Sequence, residues 1–509
     1  MLAKVHSFGI SGLEAYPITI EVDVANGLPS MTIVGLPDNA VKESRERVRS
    51  ALKNSGFKFP PQRITVNLSP ADIKKEGPAF DLAIALGILA ASEQISPSLL
   101  REYLFLGELS LDGRIQSITG SLCITTSIKK DSFKGLLLPS KNAKEASLCG
   151  RLPIFPVETL KEVLYFLENP QSIPPFVLDK TLLLQKDHFD GDFADVKGQI
   201  YVKRGLEVAA AGGHNLLMIG PPGSGKTMLA QRIISILPDM TFEESLETTK
   251  IHSVLGFVRS HIGIIQNRPF RSPHHTASDV ALVGGGPIPK PGEVTLSHNG
   301  VLFLDEIPEF RRNVLEALRQ PLEENYVTVA RASKTLRFPA KFMLIASMNP
   351  CPCGWYMDPQ KGCNCNSYQI QKYLSKISGP LLDRIDIHLE VPALRSTELL
   401  TTTLQETSAQ IKKRTTRSRD IQIKRFVNTP ISANAHMNHK QIRQYCPLSN
   451  ECKALLKKAI EELKLSARAH DRILKVSRTI SDLAGSDNIL PEHLAEAIQY
   501  RSLDRNWWG

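Results

Sequence analysis

The chain has 509 residues, is 42% hydrophobic and 22% charged, and carries a formal net charge of +10. Length and balance fit about three globular domains, and the dispersed basic excess permits a nucleic-acid partner without pointing to one. No apolar stretch approaches the roughly 18 residues that span a bilayer, the N-terminus lacks a signal-peptide core, and the eight cysteines do not suggest disulfides in a reducing compartment; a cytoplasmic protein with no membrane partner is expected.

Residues 1–170 alternate strands and helices. Strands are predicted at 17–25, 30–35 and 63–68, with a helix over 38–55 started by Asp38 after Pro37. An apolar helix follows at 79–92, then strands at 103–111, 135–139 and 152–157, giving an α/β domain. The polar, proline-rich stretch 171–192 reads as a linker. A second domain, 193–392, opens with Phe193 to Gln199 and a helix over 200–212. The remainder, 393–509, is strand-poor, with helices at 449–463, 466–485 and 491–500 and with Ser466 and Pro491 as start signals.

The second domain holds the most informative motif, Gly220-Pro221-Pro222-Gly223-Ser224-Gly225-Lys226-Thr227, directly after the apolar run Leu216 to Ile219. Glycines let a loop fold around phosphate and present N–H groups to it, Lys226 suits the β and γ oxygens, and the Thr227 hydroxyl suits Mg²⁺. A helix is predicted from Lys226 to Leu237. A second apolar run, Val301 to Leu304, ends in Asp305-Glu306. There Asp305 can serve the metal and Glu306 can polarise a water for in-line attack on the γ-phosphorus of ATP.

These motifs continue in the order found in AAA+ ATPases. The apolar stretch 342–347 leads to Asn349, which resembles the first sensor position. Gly379-Pro380-Leu381-Leu382-Asp383-Arg384-Ile385-Asp386 resembles the arginine-finger segment of magnesium chelatases and replicative MCM helicases, and Ser466-Ala467-Arg468 resembles the second sensor. The resemblance implies ATP and Mg²⁺ as cofactors, with Asn349, Arg384 and Arg468 facing phosphate. A finger acting on a neighbour implies a homo-oligomeric ring, most simply a hexamer. The stretches Arg268 to His275, Gly284 to Pro287, Lys290 to Glu293 and Leu296 to Gly300 resemble the magnesium chelatase-like branch. Over essentially its full length the chain resembles the ComM/YifB family, whose activity would be ATP-driven DNA translocation and branch migration during natural transformation, with single-stranded and branched DNA and recombination proteins as partners.

The N-terminal domain is similar to the proteolytic domain of Lon. Where Lon has Gly-Pro-Ser-Ala-Gly, this chain reads Lys75-Glu76-Gly77-Pro78-Ala79-Phe80-Asp81, with Ala79 at the nucleophile's place. The place of the Lon lysine falls near Leu122. Neither half of a Ser-Lys dyad is present, and nucleophilic catalysis needs both. The resemblance therefore implies an inactive protease domain serving assembly or DNA binding.

Three further constellations stand out. Cys351, Cys353, Cys363 and Cys365 suit a closed, structural Zn²⁺ site, although Cys-x-Cys spacing is tighter than the common knuckle. Residues 327–338 alternate around a turn and resemble the pore hairpin of MCM-type motors, where Arg331 and Lys334 would meet DNA phosphates; a solvated hairpin tip is the plainer reading. His274 and His275, being adjacent, would face opposite ways in a strand, which favours a structural role. The alternatives to a DNA motor are a chelatase-type motor acting on a protein partner, an ATP-dependent protease, and a scaffold with a degenerate nucleotide site.

Overall fold

A computed structural model describes residues 2–130, 132–179, 191–259, 262–286, 289–331, 334–356, 361–393, 405–429, 431–463 and 466–503, without the side chains of Arg331 and Lys334. The chain forms two compact units, Met1–Lys186 with Phe242–Gln266, and Asp187–Thr241 with Asn267–Gly509.

In the first unit β1 (Leu2–Ser11) and β2 (Glu14–Ala25) pair antiparallel along their full length. With β3 (Ser30–Val34), β4 (Arg63–Ser69), β5 (Tyr103–Phe105), β6 (Gly135–Pro139) and β7 (Ile154–Val157) they make a mixed seven-stranded sheet ordered β3-β4-β2-β1-β5-β6-β7. Asp38 caps the helix Asn39–Asn54 by accepting from the Val41 N–H at 2.8 Å, as its position after Pro37 suggests. The helix Asp81–Ala91 is buried at every residue. Its all-round apolarity is that of a helix enclosed by core.

Two local expectations change here. β1 carries no clear strand pattern in the sequence, because its inward face holds the small and polar Ala3, Ser7 and Gly9 beside Val5. The predicted strand 103–111 breaks after Phe105, and Glu108–Leu109 instead pairs with Ile115–Gln116.

A later segment completes this unit. Helix Phe242–Val254 packs here, with the Gly120 N–H donating to the Ser253 carbonyl at 3.0 Å and the Ser253 hydroxyl donating to Glu145. Leu122, Leu148 and Ile264 form a small core with Leu246 and Ile262.

The second unit is built on five parallel strands: β8 (Leu216–Ile219), β9 (Phe270–Arg271), β10 (Val301–Leu304), β11 (Met343–Met348) and β12 (Ile387–Glu390), ordered β9-β10-β11-β8-β12. Such strands, buried on both faces, read as continuous apolar runs; β8, β10 and β11 are buried throughout. Helices Ile200–Gly212 and Lys226–Ile236 lie close to their predicted bounds, as do the C-terminal helices Asn450–Leu463, Ala467–Ala484 and Pro491–Gln499. One hydrophobic cluster runs from Phe193 to Tyr500, so the helical C-terminal region shares the core of the sheet.

Helix Ser408–Arg425 was not predicted, since its buried face is polar. The reason is local. Thr415 donates to the Ile236 carbonyl at 2.6 Å, Gln422 to Ala211 at 3.1 Å, and Arg419 to Ala210 and Ala211 at 3.2 Å each. These are terminal carbonyls of the two helices beside β8, groups that lack an intrahelical partner.

Candidate nucleotide site

The site lies at the carboxyl end of the parallel sheet, where α/β folds bind ligands. Strand β8 delivers the chain to Gly220, and the loop turns into its helix at Gly225, whose φ of +88° places it in the left-handed region that glycine adopts without cost. Lys226 begins the helix and folds back over the loop. Its ammonium donates to the carbonyls of Gly220 at 2.8 Å and Pro221 at 2.9 Å, and to Asn349 Oδ1 at 3.3 Å. Burial lowers its pKa, while Asp305 and Glu306 pull the other way.

Strand β10 ends at Asp305, where the Thr227 hydroxyl donates to Oδ2 at 2.8 Å. The other carboxylate oxygen accepts from the Ser347 hydroxyl and from the Glu306 N–H at 3.1 Å. A hydroxyl beside a fixed carboxylate is an oxygen-donor pair suited to Mg²⁺. Glu306 has φ +51° and an exposed side chain. A non-glycine residue in that region stores strain, and here the turn leaves the acid exposed at the strand end. The five predicted residues Lys226, Thr227, Asp305, Glu306 and Asn349 thus meet at the ends of three neighbouring strands.

Two residues in this arrangement were missed. Ser347 orients Asp305, and its one signal is a hydroxyl inside the apolar run MLIASM. Gln199, left-handed at φ +51°, donates to the carbonyls of Ser224 at 2.9 Å and Pro392 at 3.2 Å and so braces the phosphate loop.

Arg384 and Arg468 lie elsewhere. The Arg384 carbonyl accepts from Asn215 Nδ2 at 3.0 Å, and Asn215 Oδ1 accepts from the Leu344 N–H at 2.8 Å. Asn215 precedes β8, so this is the opposite end of the sheet from Gly220, about 16 Å away at roughly 3.3 Å per residue. The Arg384 guanidinium is buried, donates to the Pro380 carbonyl and pairs with Glu323. Burial depresses its pKa, Glu323 opposes this, and the charges of Arg319 and Arg468 add to the depression. Arg468 is exposed, 3.5 Å from Asp383. Four residues on, Arg472 pairs with the buried Asp386. Burial works against the Asp386 charge, yet Arg472 and His214 hold it well below the usual carboxylate range.

The four cysteines converge, with all four Sγ atoms within 4.8 Å of one another. Strands Tyr326–Arg331 and Lys334–Pro339 form the predicted antiparallel hairpin, while its tip and the side chains of Arg331 and Lys334 lie outside the described residues. The expectation that His274 and His275 face opposite ways is corrected: the strand covers only Phe270–Arg271, and beyond it the two rings lie 4.1 Å apart at 34°. Among the described residues no helix is long and apolar enough to cross a membrane.

A five-stranded parallel sheet with a phosphate-loop turn at one strand end and an acid pair at another defines a P-loop core of the AAA+ class. Family models agree: "Magnesium chelatase, subunit ChlI" matches residues 192–399, "Subunit ChlI of Mg-chelatase" matches 20–142, and "Magnesium chelatase, subunit ChlI C-terminal" matches 405–501. The chain is 46% identical to Competence protein ComM of Haemophilus influenzae, covering 99% of this chain and 98% of that one. It is 44% identical to the uncharacterized protein YifB of Escherichia coli, with the same coverage. To the chloroplastic magnesium-chelatase subunit ChlI-2 of Arabidopsis thaliana it is 20% identical, over 56% of this chain and 67% of that one. The chain belongs to the ComM/YifB family of magnesium chelatase-like AAA+ proteins.

Proposed function

We propose that the protein is a ring-forming ATPase that translocates on DNA and drives branch migration, promoting integration of single-stranded donor DNA during natural transformation. The observation that carries this reading is the meeting of Lys226, Thr227, Asp305 and Asn349 at one sheet end in a chain that matches a competence protein along its full length. ATP and Mg²⁺ bind at that end, Asp305 and Thr227 serve the metal, and Glu306 activates the attacking water.

Arg384 and Arg468 lie at the far sheet end, too distant to serve their own phosphate loop. They act on the neighbouring subunit, which requires a closed head-to-tail ring, most simply a hexamer. The 326–339 hairpin carries Arg331 and Lys334 to the DNA backbone. Residues 1–170 form a Lon-like domain without proteolytic activity, joined through 171–192 to a motor of 193–392 and a helical region of 393–509. In that domain the Leu122 position is fully buried and its N–H donates to Glu145 at 3.0 Å, a setting for packing rather than for a catalytic base. The cysteine cluster holds structural Zn²⁺.

A branch-migration assay on a synthetic Holliday junction tests this. Wild type moves the junction and Glu306→Gln does not; a wild-type ring that hydrolyses ATP without moving junctions would sink the helicase reading. A chelatase-type motor acting on a protein partner is the second reading, favoured by the match of all three family models to magnesium chelatase subunit ChlI. Because one of these covers residues 20–142, the N-terminal domain does not discriminate against it. Stimulation of ATPase by single-stranded or forked DNA does discriminate, and belongs to the first reading alone.

A further inference from the structure

We propose that zinc bound by Cys351, Cys353, Cys363 and Cys365 is a strut of the nucleotide site, so that nucleotide affinity depends on this metal. The proposal rests on the reading of Lys226 and Thr227 as the nucleotide site. Its first support is the shape of the thiol cluster. Sγ separations are 3.3 Å for Cys351–Cys353, 3.7 Å for Cys351–Cys363 and 3.6 Å for Cys353–Cys363. A tetrahedron with Zn–S bonds of about 2.3 Å has edges of about 3.8 Å, so these three sulfurs need only move slightly apart to admit the ion. Four soft sulfur donors favour zinc over the hard cation that Thr227 and Asp305 would hold. The Cys365 N–H donates to Cys363 Sγ at 3.4 Å, the kind of outer contact that steadies a metal thiolate.

The second support is what the cluster touches. Cys351 follows Asn349 by two residues, and Asn349 Oδ1 accepts from Lys226. The Gly354 N–H donates to the Cys351 carbonyl at 3.0 Å and closes a turn whose backbone lies directly on Pro222 of the phosphate loop. Gly354 has φ +86°, and a Cβ there would stand 2.5 Å from Pro222 Cδ. On the other side, the chain leaves Cys365 into helix Ser367–Leu374, capped by Asn366. From that helix Tyr373 reaches the Asn349 main chain, which works against the burial that raises the phenol's pKa. One metal centre would therefore fix a wall of the phosphate loop, the residue beside the lysine, and the helix behind both.

The third support is how little of the described segment is buried. Among the described residues from Cys351 to Asn366, only Cys351 and Gly354 are buried. A segment with so little apolar burial does not offset its ordering entropy, and a bound metal supplies that free energy directly.

The experiment uses the full chain purified with zinc supplied, metal analysis, and binding of a fluorescent ATP analogue. The expected results are one zinc per protomer, a loss of analogue affinity of about tenfold or more on chelator treatment, and its return on adding zinc alone. Gly354→Ala separates the contact from the ligands: it keeps its zinc and loses affinity comparably, because the new methyl displaces the turn from Pro222. Zinc well below one per protomer overturns the proposal. So does unchanged affinity in stripped protein or in zinc-loaded Gly354→Ala. If zinc-loaded wild type fails to bind the analogue, the nucleotide-site reading falls and this proposal falls with it.

Discussion

Replacing Arg384 separates a residue that completes a neighbour's site from one that builds its own. The Arg384 main chain sits at the sheet end about 16 Å from its own phosphate loop by strand rise, so Arg384→Ala should leave nucleotide affinity within about twofold, as expected for distant sites. Loss of an arginine finger lowers kcat by about 10³-fold or more. The variant should remain folded, because the Glu323 carboxylate left behind is half-exposed. Mixing makes the test decisive. Subunits with Arg384→Ala keep an intact phosphate loop, and subunits with Lys226→Ala keep an intact finger. In rings assembled at random from equal amounts, half the loops are intact and half of those face an intact finger, so about one quarter of wild-type ATPase should appear from two inactive parents; the heterologous interface of a ring makes each pairing independent. A mixture no more active than its parents, or an Arg384→Ala variant that fails to bind nucleotide, would refute the reasoning.

Because burial lowers the pKa of Lys226 from the ordinary value of 10.5, nucleotide affinity measured by fluorescence titration should begin to fall at a pH below 10.5; a Lys226→Arg variant, permanently charged, should show no such fall in its own affinity. Asp386→Ala strands the Arg472 guanidinium at the docking point of helix Ala467–Ala484, and denaturant unfolding should register a loss of about 3–5 kcal/mol. The folded-state pKa of Asp386 is depressed, so its contribution is complete above the ordinary carboxylate value of 3.8 and is lost as pH falls through the lower folded value; in Asp386→Asn that part of the acid dependence should vanish. Replacing Arg331 and Lys334 together with alanine should weaken single-stranded DNA binding and flatten the slope of log affinity against log salt by about 1.4, at roughly 0.7 per phosphate contact. An unchanged slope would remove both residues from the DNA path.

The phosphate loop, acid pair and Asn349 were legible because each is tied to a strand end, and an apolar run followed by a polar residue marks a strand end in any sequence. Residues that act by holding another group in place left almost no such mark. Ser347 sits inside a strand as one hydroxyl among apolar neighbours, and Gln199 acts through two main-chain carbonyls. Helix Ser408–Arg425 was hidden for a related reason. A periodicity search looks for an apolar face, whereas this helix buries hydroxyls, an amide and a guanidinium against the carbonyl ends of other helices. Arg384 and Arg468 were found by their place in the chain, but their position at the far end of the sheet depends on Asn215 bonding to both Arg384 and Leu344. No local pattern encodes that pair of contacts.

The excursion from Phe242 to Gln266 changes how the chain is divided between the two units. A linker over 171–192 would make the first unit an appendage joined by one strand of chain. Instead the backbone leaves the phosphate-loop helix, contributes Phe242–Val254 to the first unit, and returns at Asn267, so the two units are joined by three backbone crossings. The stem of this excursion is stapled. Arg268, on the returning limb, donates to the Pro238 carbonyl at 2.6 Å and the Asp239 carbonyl at 3.1 Å on the departing limb, and to Asn299 at 2.7 Å just before β10. These bonds remove loop-closure freedom where the insertion leaves and rejoins the second unit. The same contacts lie just after the helix that begins at Lys226 and just before the strand that ends at Asp305. In the sequence Arg268-Pro269 is only a family marker; in the structure Arg268 ties the departing and returning limbs of the excursion together.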